Sequence, residues 1–572
     1  MKAIATSILR AVASAAVLGL IPAALAHGDD MNMEAGEADK PRPAAEYPPT
    51  YFAHPEHQTV IYAHIALMVL GWVFVLPIAV MFSLARSRYT LAAQFLFTAV
   101  NAAGVLLAII YDANTPDLYP NNAHHKLGWV VTWVAGAQLA ISVLSRVAGA
   151  LGRKAGDQTG DSHERVSFIP VSTEAIAEHE SQFPLGGGRR FSNDSGQGTE
   201  PKTESLRSPS LSSGGGGADS PGLVLHNVPL RRYGDDDIEA AVAFPRSGGA
   251  VYTVAEKAAG LVSSRSWKPF TFLYHCVDRV ILILGFIALC TGIATFGRFF
   301  EGPGIFSGLA HWIKGGVFIW LGIFTLGRWA GSFSSLGWAW NLRPPHPTWR
   351  RPSAEFVESA LIFLYGATNI FLEHLGNAGG AWSAQDLEHV SITVLFLGGG
   401  LLGMLIESVS IRDLLNTTPT TSTEEEEEPD SYRTSTNPVP ALVILLLGSI
   451  MSSHTQPSRI STMVHKQWGQ LLAGASVARG VTYLVMWLKP PTSARPSRPP
   501  TEVLAAFGLV SGGTIFMASA ADTVNGMIHY ELDAMFMYTV TMGLVGLLMA
   551  WIVLVIAVKG WAVRRERRAG RS

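Results

Sequence analysis

Cysteine is nearly absent: Cys276 and Cys290 are the two present in 572 residues. They lie in one apolar stretch, roughly 21 Å apart along a helix at about 1.5 Å per residue, too far to pair with each other. No internal disulfide staples this chain, so folding has to rest on helix packing. Charge is scarce as well. Charged residues make up 15% of the chain and the formal net charge is -2, which leaves no electrostatic footprint for a nucleic-acid partner. No HExxH, CxxC or GxSxG pattern occurs, so nothing fixes a hydrolase.

What is present in quantity is apolar length. Hydrophobic residues reach 48%, and runs that approach the ~20 residues needed to cross about 30 Å of hydrocarbon recur along the chain. They fall near 60–83, 91–110, 127–145, 271–295, 305–327, 354–373, 390–408, 438–453, 467–488, 501–520 and 536–558. The expectation is an all-α polytopic membrane protein of about eleven spans in two bundles, with the lipid bilayer as its solvent.

The flanks give an order to these spans. Met1 to Ala26 joins basic Lys2 and Arg10 to an apolar core and a small-residue end at Ala24-Leu25-Ala26, the pattern of a cleavable secretory signal. Residues 27–59 read as a lumenal disordered tail. Basic residues collect in alternate loops, at Arg86 and Arg88, Arg146 to Lys154, Arg328 to Arg351, and Lys489 to Arg498, which places the N-terminus lumenal or extracellular and the C-terminus cytoplasmic. Residues 60–145 then form three helices and 267–297 a fourth. Between them, 146–266 is a Ser, Gly and Pro-rich cytoplasmic linker, too polar to bury a core. Residues 298–560 form the C-terminal multi-span region, interrupted by an acidic loop at 418–437, and 561–572 is a basic tail. The chain is expected in the secretory or endomembrane system or the plasma membrane.

Histidine carries the chemical signal. Span one reads "HIALMVLGWVFVLPIAVMF" from His64, and span three opens "HHKLGWVVTWVAGAQ" with His124 and His125. Two imidazoles facing each other across a helix bundle meet the needs of axial haem b ligation. The competing reading is that these rings only hydrogen-bond within the bundle.

His64 with Met68, Trp72 and Pro77, and His124 with Gly128 and Gln138, resemble the first and third core helices of the cytochrome b-561 superfamily. "YHCVDRVILILGFIALCTG" from Tyr274 is similar to its fourth, with His275 near the cytoplasmic face. That resemblance implies haem held by facing histidines. Span two departs from it: Gln94 stands near the depth where a histidine partner for His275 is expected. The resemblance therefore implies one haem between His64 and His124 and an incomplete second site. The C-terminal half, in "FLEHLGNAGGAWSAQDLEHVSITVLFLGGGLLGMLIES" from Phe371 and "GMIHYELDAMF" from Gly526, resembles the fungal YTP-one-like integral membrane proteins.

His374, His389, His454, His465 and His529 all fall at predicted lumenal span ends, with Glu373, Asp386, Glu388, Asp522, Glu531 and Asp533 nearby. Imidazole and carboxylate together suit Cu, Zn or Fe. Interfacial histidines that merely cap helix ends give the same pattern. A mature N-terminus at His27, with Met31 and Met33, offers copper ligands; so does many an ordinary acidic leader end. Arg479 lies mid-span and requires a partner, with Glu358 and Glu407 the candidates and a structural ion pair favoured over a transport site. Two functions follow from this reading. One is haem-linked electron transfer on the lumenal side with a small-molecule electron donor. The other is non-enzymatic binding or transport of a metal ion.

Overall fold

A computed structural model describes residues 48–158, 267–302, 305–343, 352–369, 382, 384–417, 430–454 and 456–569. The expected signal and His27, linker residues 159–266, His374, and 418–429 of the acidic loop lie outside the described residues. The described chain is helical without a strand. The N-terminal part comprises α1 (Gln58–Leu84), α2 (Thr90–Asn114), α3 (Ala123–Gln158) and α4 (Lys268–Gly297). The C-terminal part comprises α5 (Ile305–Ala330), α6 (Ala354–Asn369), α7 (Ala384–Glu407), the short α8 (Val409–Asn416), α9 (Val439–Ser452) and α10 (Arg459–Leu488). It closes with α11 (Pro500–Ala518), the short α12 (Ala521–His529) and α13 (Ala534–Ala569).

Nine of these helices are long and apolar enough to cross a membrane among the described residues. The shorter α6 and α9 occupy the other two expected runs. Large apolar side chains such as Trp133 and Leu547, each 71% exposed, cover the outer surface. That distribution is unaffordable in water and ordinary in lipid.

Helix α1 shows how one residue sets a local structure. Pro77 has no N–H to give the carbonyl of Val73 four residues before it, and a π-helical segment, Leu70–Val75, precedes it. Trp72, in that segment, donates to Asn101 of α2 at 2.9 Å, and Asn101 donates to Thr132 of α3 at 3.3 Å. In the C-terminal part glycine brings backbones together. A methyl group added to Gly513 of α11 would lie 2.6 Å from the Gly315 carbonyl of α5, and one on Gly469 of α10 would lie 2.6 Å from the Gly448 carbonyl of α9. Such approaches are how helices associate where lipid removes the hydrophobic drive.

Three expected boundaries shift. Residues 48–57, expected within a disordered tail, pack on the bundle: Thr50 is 4% exposed and the Phe52 amide donates to the Phe296 carbonyl at 3.1 Å. The third helix continues past 145 to Gln158, into the region read as linker. Residues 561–569 of the expected basic tail are the last turns of α13. Glu566 accepts hydrogen bonds from Ser87 (2.9 Å) and the Arg88 amide (3.1 Å), and Tyr89 stacks on Trp561 at 5.9 Å. The α1–α2 turn thus binds the end of the chain, a non-local contact that no local pattern signals.

Two ends of the molecule follow from loop contacts. At one end Phe52 meets Phe296 and Tyr530, Tyr119 donates to the Phe299 carbonyl at 2.7 Å, and the Phe300 amide donates to Asp522 at 2.8 Å. Burial, with Glu301 and Asp522 nearby, holds the Tyr119 phenol above its ordinary pKa, so it stays a donor. At the other end the α5–α6 and α10–α11 connections clasp each other. Asn341 donates to the Ala494 carbonyl at 3.0 Å, and Ser497 to the Trp340 carbonyl at 2.8 Å.

Candidate functional site

The first end carries two histidine pairs. His64 and His124 stand with ring centres 6.4 Å apart and planes 73° from parallel. The His64 Nδ1 lies 2.8 Å from the Gly104 carbonyl, and a carbonyl only accepts, so Nδ1 carries the proton and Nε2 keeps its lone pair. Thr291 Oγ1 already donates to the Ala288 carbonyl, so it accepts from His124 Nδ1 at 3.3 Å, and the same tautomer results. Gly292 of α4 backs the ring: a methyl group there would come within 3.1 Å of His124 Cε1.

The second pair joins His465 to a residue the sequence reading passed over, His311. Their ring centres are 6.0 Å apart, beside Phe516. His311 donates from Nδ1 to the Ser307 carbonyl and His465 to that of Ser461, each at 2.8 Å and each one turn back along its own helix. Both Nε2 atoms again keep lone pairs. The signal for His311 lay in its position, six residues past the start of its helix, as His64 and His465 are in theirs.

The other predicted ligands separate. His125 and His275 are exposed. Gln94 donates to the Tyr274 hydroxyl at 3.2 Å, in a network where Asp278 accepts from Ser83 and Gln138 at 2.5 Å each. The cavity that Gln94, Gln138 and Asp278 line is about 10 Å³, room for one water. His454 pairs with Glu388 at 3.2 Å, and His389 lies within electrostatic reach of His311. His529 packs on Tyr530 beside exposed Glu531, and Asp522 is engaged by the Phe300 amide. Among the described residues no three His, Cys, Asp or Glu side chains gather closely enough to hold a metal ion.

Beneath the clasp at the opposite end lies a buried charge network. Arg479 of α10 meets Glu358 of α6 at 3.4 Å, Glu502 of α11 at 2.8 Å and the Thr325 hydroxyl of α5 at 3.0 Å. Glu358 was one of its two expected partners. The other, Glu407, instead binds Arg343 (3.3 Å) and Ser435 (2.6 Å). Arg328, which the sequence assigns to a loop, is 2% exposed and spends its whole fork inside. It bonds Glu355 at 2.7 Å, Glu358 at 3.2 Å and the Trp338 carbonyl at 2.7 Å. The Trp340 ring lies under both guanidinium groups, at 4.4 and 5.4 Å, with its own backbone in the left-handed region (φ 56°). An indole strained into that conformation gains two cation–π contacts in return.

A helical, lipid-facing chain with polar networks sealed between its spans is an integral, multi-pass membrane protein. Comparison with known proteins makes this particular. "Protein YTP1-like, C-terminal" matches residues 284–560, the part that holds the charge network and the His311–His465 pair. A domain of unknown function matches 45–148, the part that holds His64 and His124. An uncharacterized membrane protein of Schizosaccharomyces pombe is 30% identical over 529 residues, 88% of this chain and 94% of that protein. An uncharacterized membrane protein of Saccharomyces cerevisiae is 38% identical over 52% of this chain and 49% of its own length. Protein YTP1 of the same yeast is 24% identical over 48% of this chain and 51% of its own. The chain belongs to the YTP1-like membrane protein family. No solved structure matches it.

Proposed function

We propose that this membrane protein binds one haem b between His64 and His124 and transfers single electrons at that end of the N-terminal bundle. The observation that carries the reading is the 6.4 Å separation of the two rings. Imidazoles that share one iron have ring centres roughly 6 Å apart, because each metal–nitrogen bond is about 2 Å. The residues fit such a pair: both Nδ1 atoms are tied to protein acceptors, the outer contact that usually orients a ligating histidine, and both Nε2 atoms are left to ligate. A bound haem b supplies one-electron redox chemistry. The chain's part is to fix the two rings through Gly104 and Thr291 and to keep Gly292 bare behind His124. The likeness to cytochrome b-561 helices supports the same reading. Gln94, tied to the Tyr274 hydroxyl, stands where a histidine partner for His275 would be needed and supports a single haem rather than two.

A reduced-minus-oxidised spectrum of the purified full-length protein tests this. Soret and α-bands are expected, and they disappear in His64→Ala and in His124→Ala. Protein from haem-replete cells that lacks a Soret band overturns the proposal.

The His311–His465 pair favours a second reading, binding of a transition metal ion. Two bare Nε2 atoms at this spacing suit Cu(I), an ion that two imidazoles can hold between them. Metal analysis of the same sample distinguishes it: stoichiometric Cu lost in His311→Ala, but retained in His64→Ala, assigns metal to this pair.

A further inference from the structure

The buried network beneath the clasp does not balance. It contains two guanidinium groups, Arg328 and Arg479, and three carboxylates, Glu355, Glu358 and Glu502, none more than 7% exposed. Arginine remains charged in proteins. If all three carboxylates are ionised, one negative charge stays uncompensated where water is excluded, and a buried unpaired charge is among the costliest features a fold can hold. One cation closes the count.

The geometry selects where it sits. Glu355 accepts from Arg328 at 2.7 Å and from the Tyr483 hydroxyl at 3.4 Å. Glu358 accepts from both arginines, one per oxygen. Glu502 is 0% exposed, its 2.8 Å contact with Arg479 Nε is off hydrogen-bond alignment, and the one hydroxyl beside its carboxylate, that of Thr482, also meets the Ala478 carbonyl and Thr501. It is the least supported of the three as an anion. Its surroundings are Arg479, Thr482 and Tyr483 from α10 and Thr325 and Arg328 from α5, with Glu355 and Glu358 of α6 beyond them. The face of α13 against α11 is apolar at Val545, Met549, Ile552 and Val553.

We propose that Glu502 is a proton-binding site, a carboxylic acid whose proton neutralises the network and exchanges with the aqueous phase at the clasped end. Its uptake is the addition of one proton to a carboxylate oxygen, with no other bond made or broken. Glu502 stands two residues into α11, directly after the clasp segment that Ser497 ties to Trp340. Exchange is therefore coupled to parting of the α5–α6 and α10–α11 connections, independently of either histidine pair. A proton is favoured over a metal cation because Glu502 is the one carboxylate that no guanidinium bonds in alignment, so a metal would find a single open anionic ligand there.

Infrared difference spectra of the full-length protein in lipid vesicles, recorded across a pH step, test the site. The expected result is a protonated-carboxyl C=O band that shifts in D2O, is lost in Glu502→Gln and is insensitive to added NaCl. Carbodiimide treatment of the wild-type protein followed by peptide mapping supplies a second measurement that needs no variant, with an adduct expected on Glu502. Loss of the band on adding NaCl assigns sodium instead and overturns the proposal. So does a band that persists in Glu502→Gln, or an adduct on Glu355 or Glu358 in place of Glu502.

Discussion

The indole of Trp551 donates to the Val73 carbonyl at 2.9 Å. That carbonyl lacks its usual helical donor because Pro77, four residues on, has no N–H. The lesion that proline makes in α1 is thus filled from α13, and Phe74 packs on the same indole at 5.1 Å. This contact ties the N-terminal helices to the C-terminal part of the chain.

Trp551→Phe keeps the ring contact and removes the donor. Hydrogen bonds between membrane helices average about 0.6 kcal/mol and reach about 1.7. The orphaned carbonyl places this one toward the upper figure. Thermal unfolding in detergent should show a lowered midpoint for Trp551→Phe, with most of the loss absent in a Pro77→Ala, Trp551→Phe double variant, where α1 supplies its own donor.

Glu358 joins two buried arginines, so Glu358→Ala removes one carboxylate contact from each, leaving Arg328 with Glu355 and Arg479 with Glu502. Breaking a buried pair by removing one partner costs about 3–5 kcal/mol. Glu301, paired with Arg298 at 2.9 Å on an exposed turn, is the control, since surface pairs contribute about 0–1 kcal/mol. Thermal midpoints of the two alanine variants should therefore separate widely, and equal losses would contradict the burial of the network.

Much of this architecture was legible from apolar run length, because a membrane leaves a helix few alternatives. The fourth helix, expected at 267–297, runs from Lys268 to Gly297. Partnership was less legible. Arg479 announced its need for a carboxylate, and Glu358 answered, but Glu502 and Glu355 stand in the first turns of their helices beside loops, where an acid carries no signal of burial. Arg328 read as a loop cation because hydropathy stops near it, while the folded-back segment around Trp340 covers it. Likewise His465 was visible as an interfacial histidine and His311 was not, since their pairing joins helices far apart in sequence.

Gly513 and Gly469 mark backbone crossings that admit no side chain. Leucine at either position drives α11 from α5 or α10 from α9, and overpacking typically costs about 1–3 kcal/mol. Gly543, with nothing within 4 Å of an added methyl, should accept leucine with little change. Yield and thermal midpoint of the monodisperse protein in detergent measure the contrast.

Gly292 separates ring geometry from ring identity at the proposed haem site. A methyl group there approaches His124 Cε1 to 3.1 Å, tighter than most real contacts, and the two methyls of valine leave the ring no room to keep its bond to Thr291. Both histidines remain in Gly292→Val, so the ligands are present but turned. If the spacing of 6.4 Å is what an iron requires, haem content per protein should fall in Gly292→Ala and further in Gly292→Val, with a shifted midpoint potential in whatever haem is retained. Because α4 otherwise packs through Ile281 and Ala288, thermal unfolding should change much less than haem content. Unchanged haem content and potential in Gly292→Val would show that the ring of His124 does not set the site.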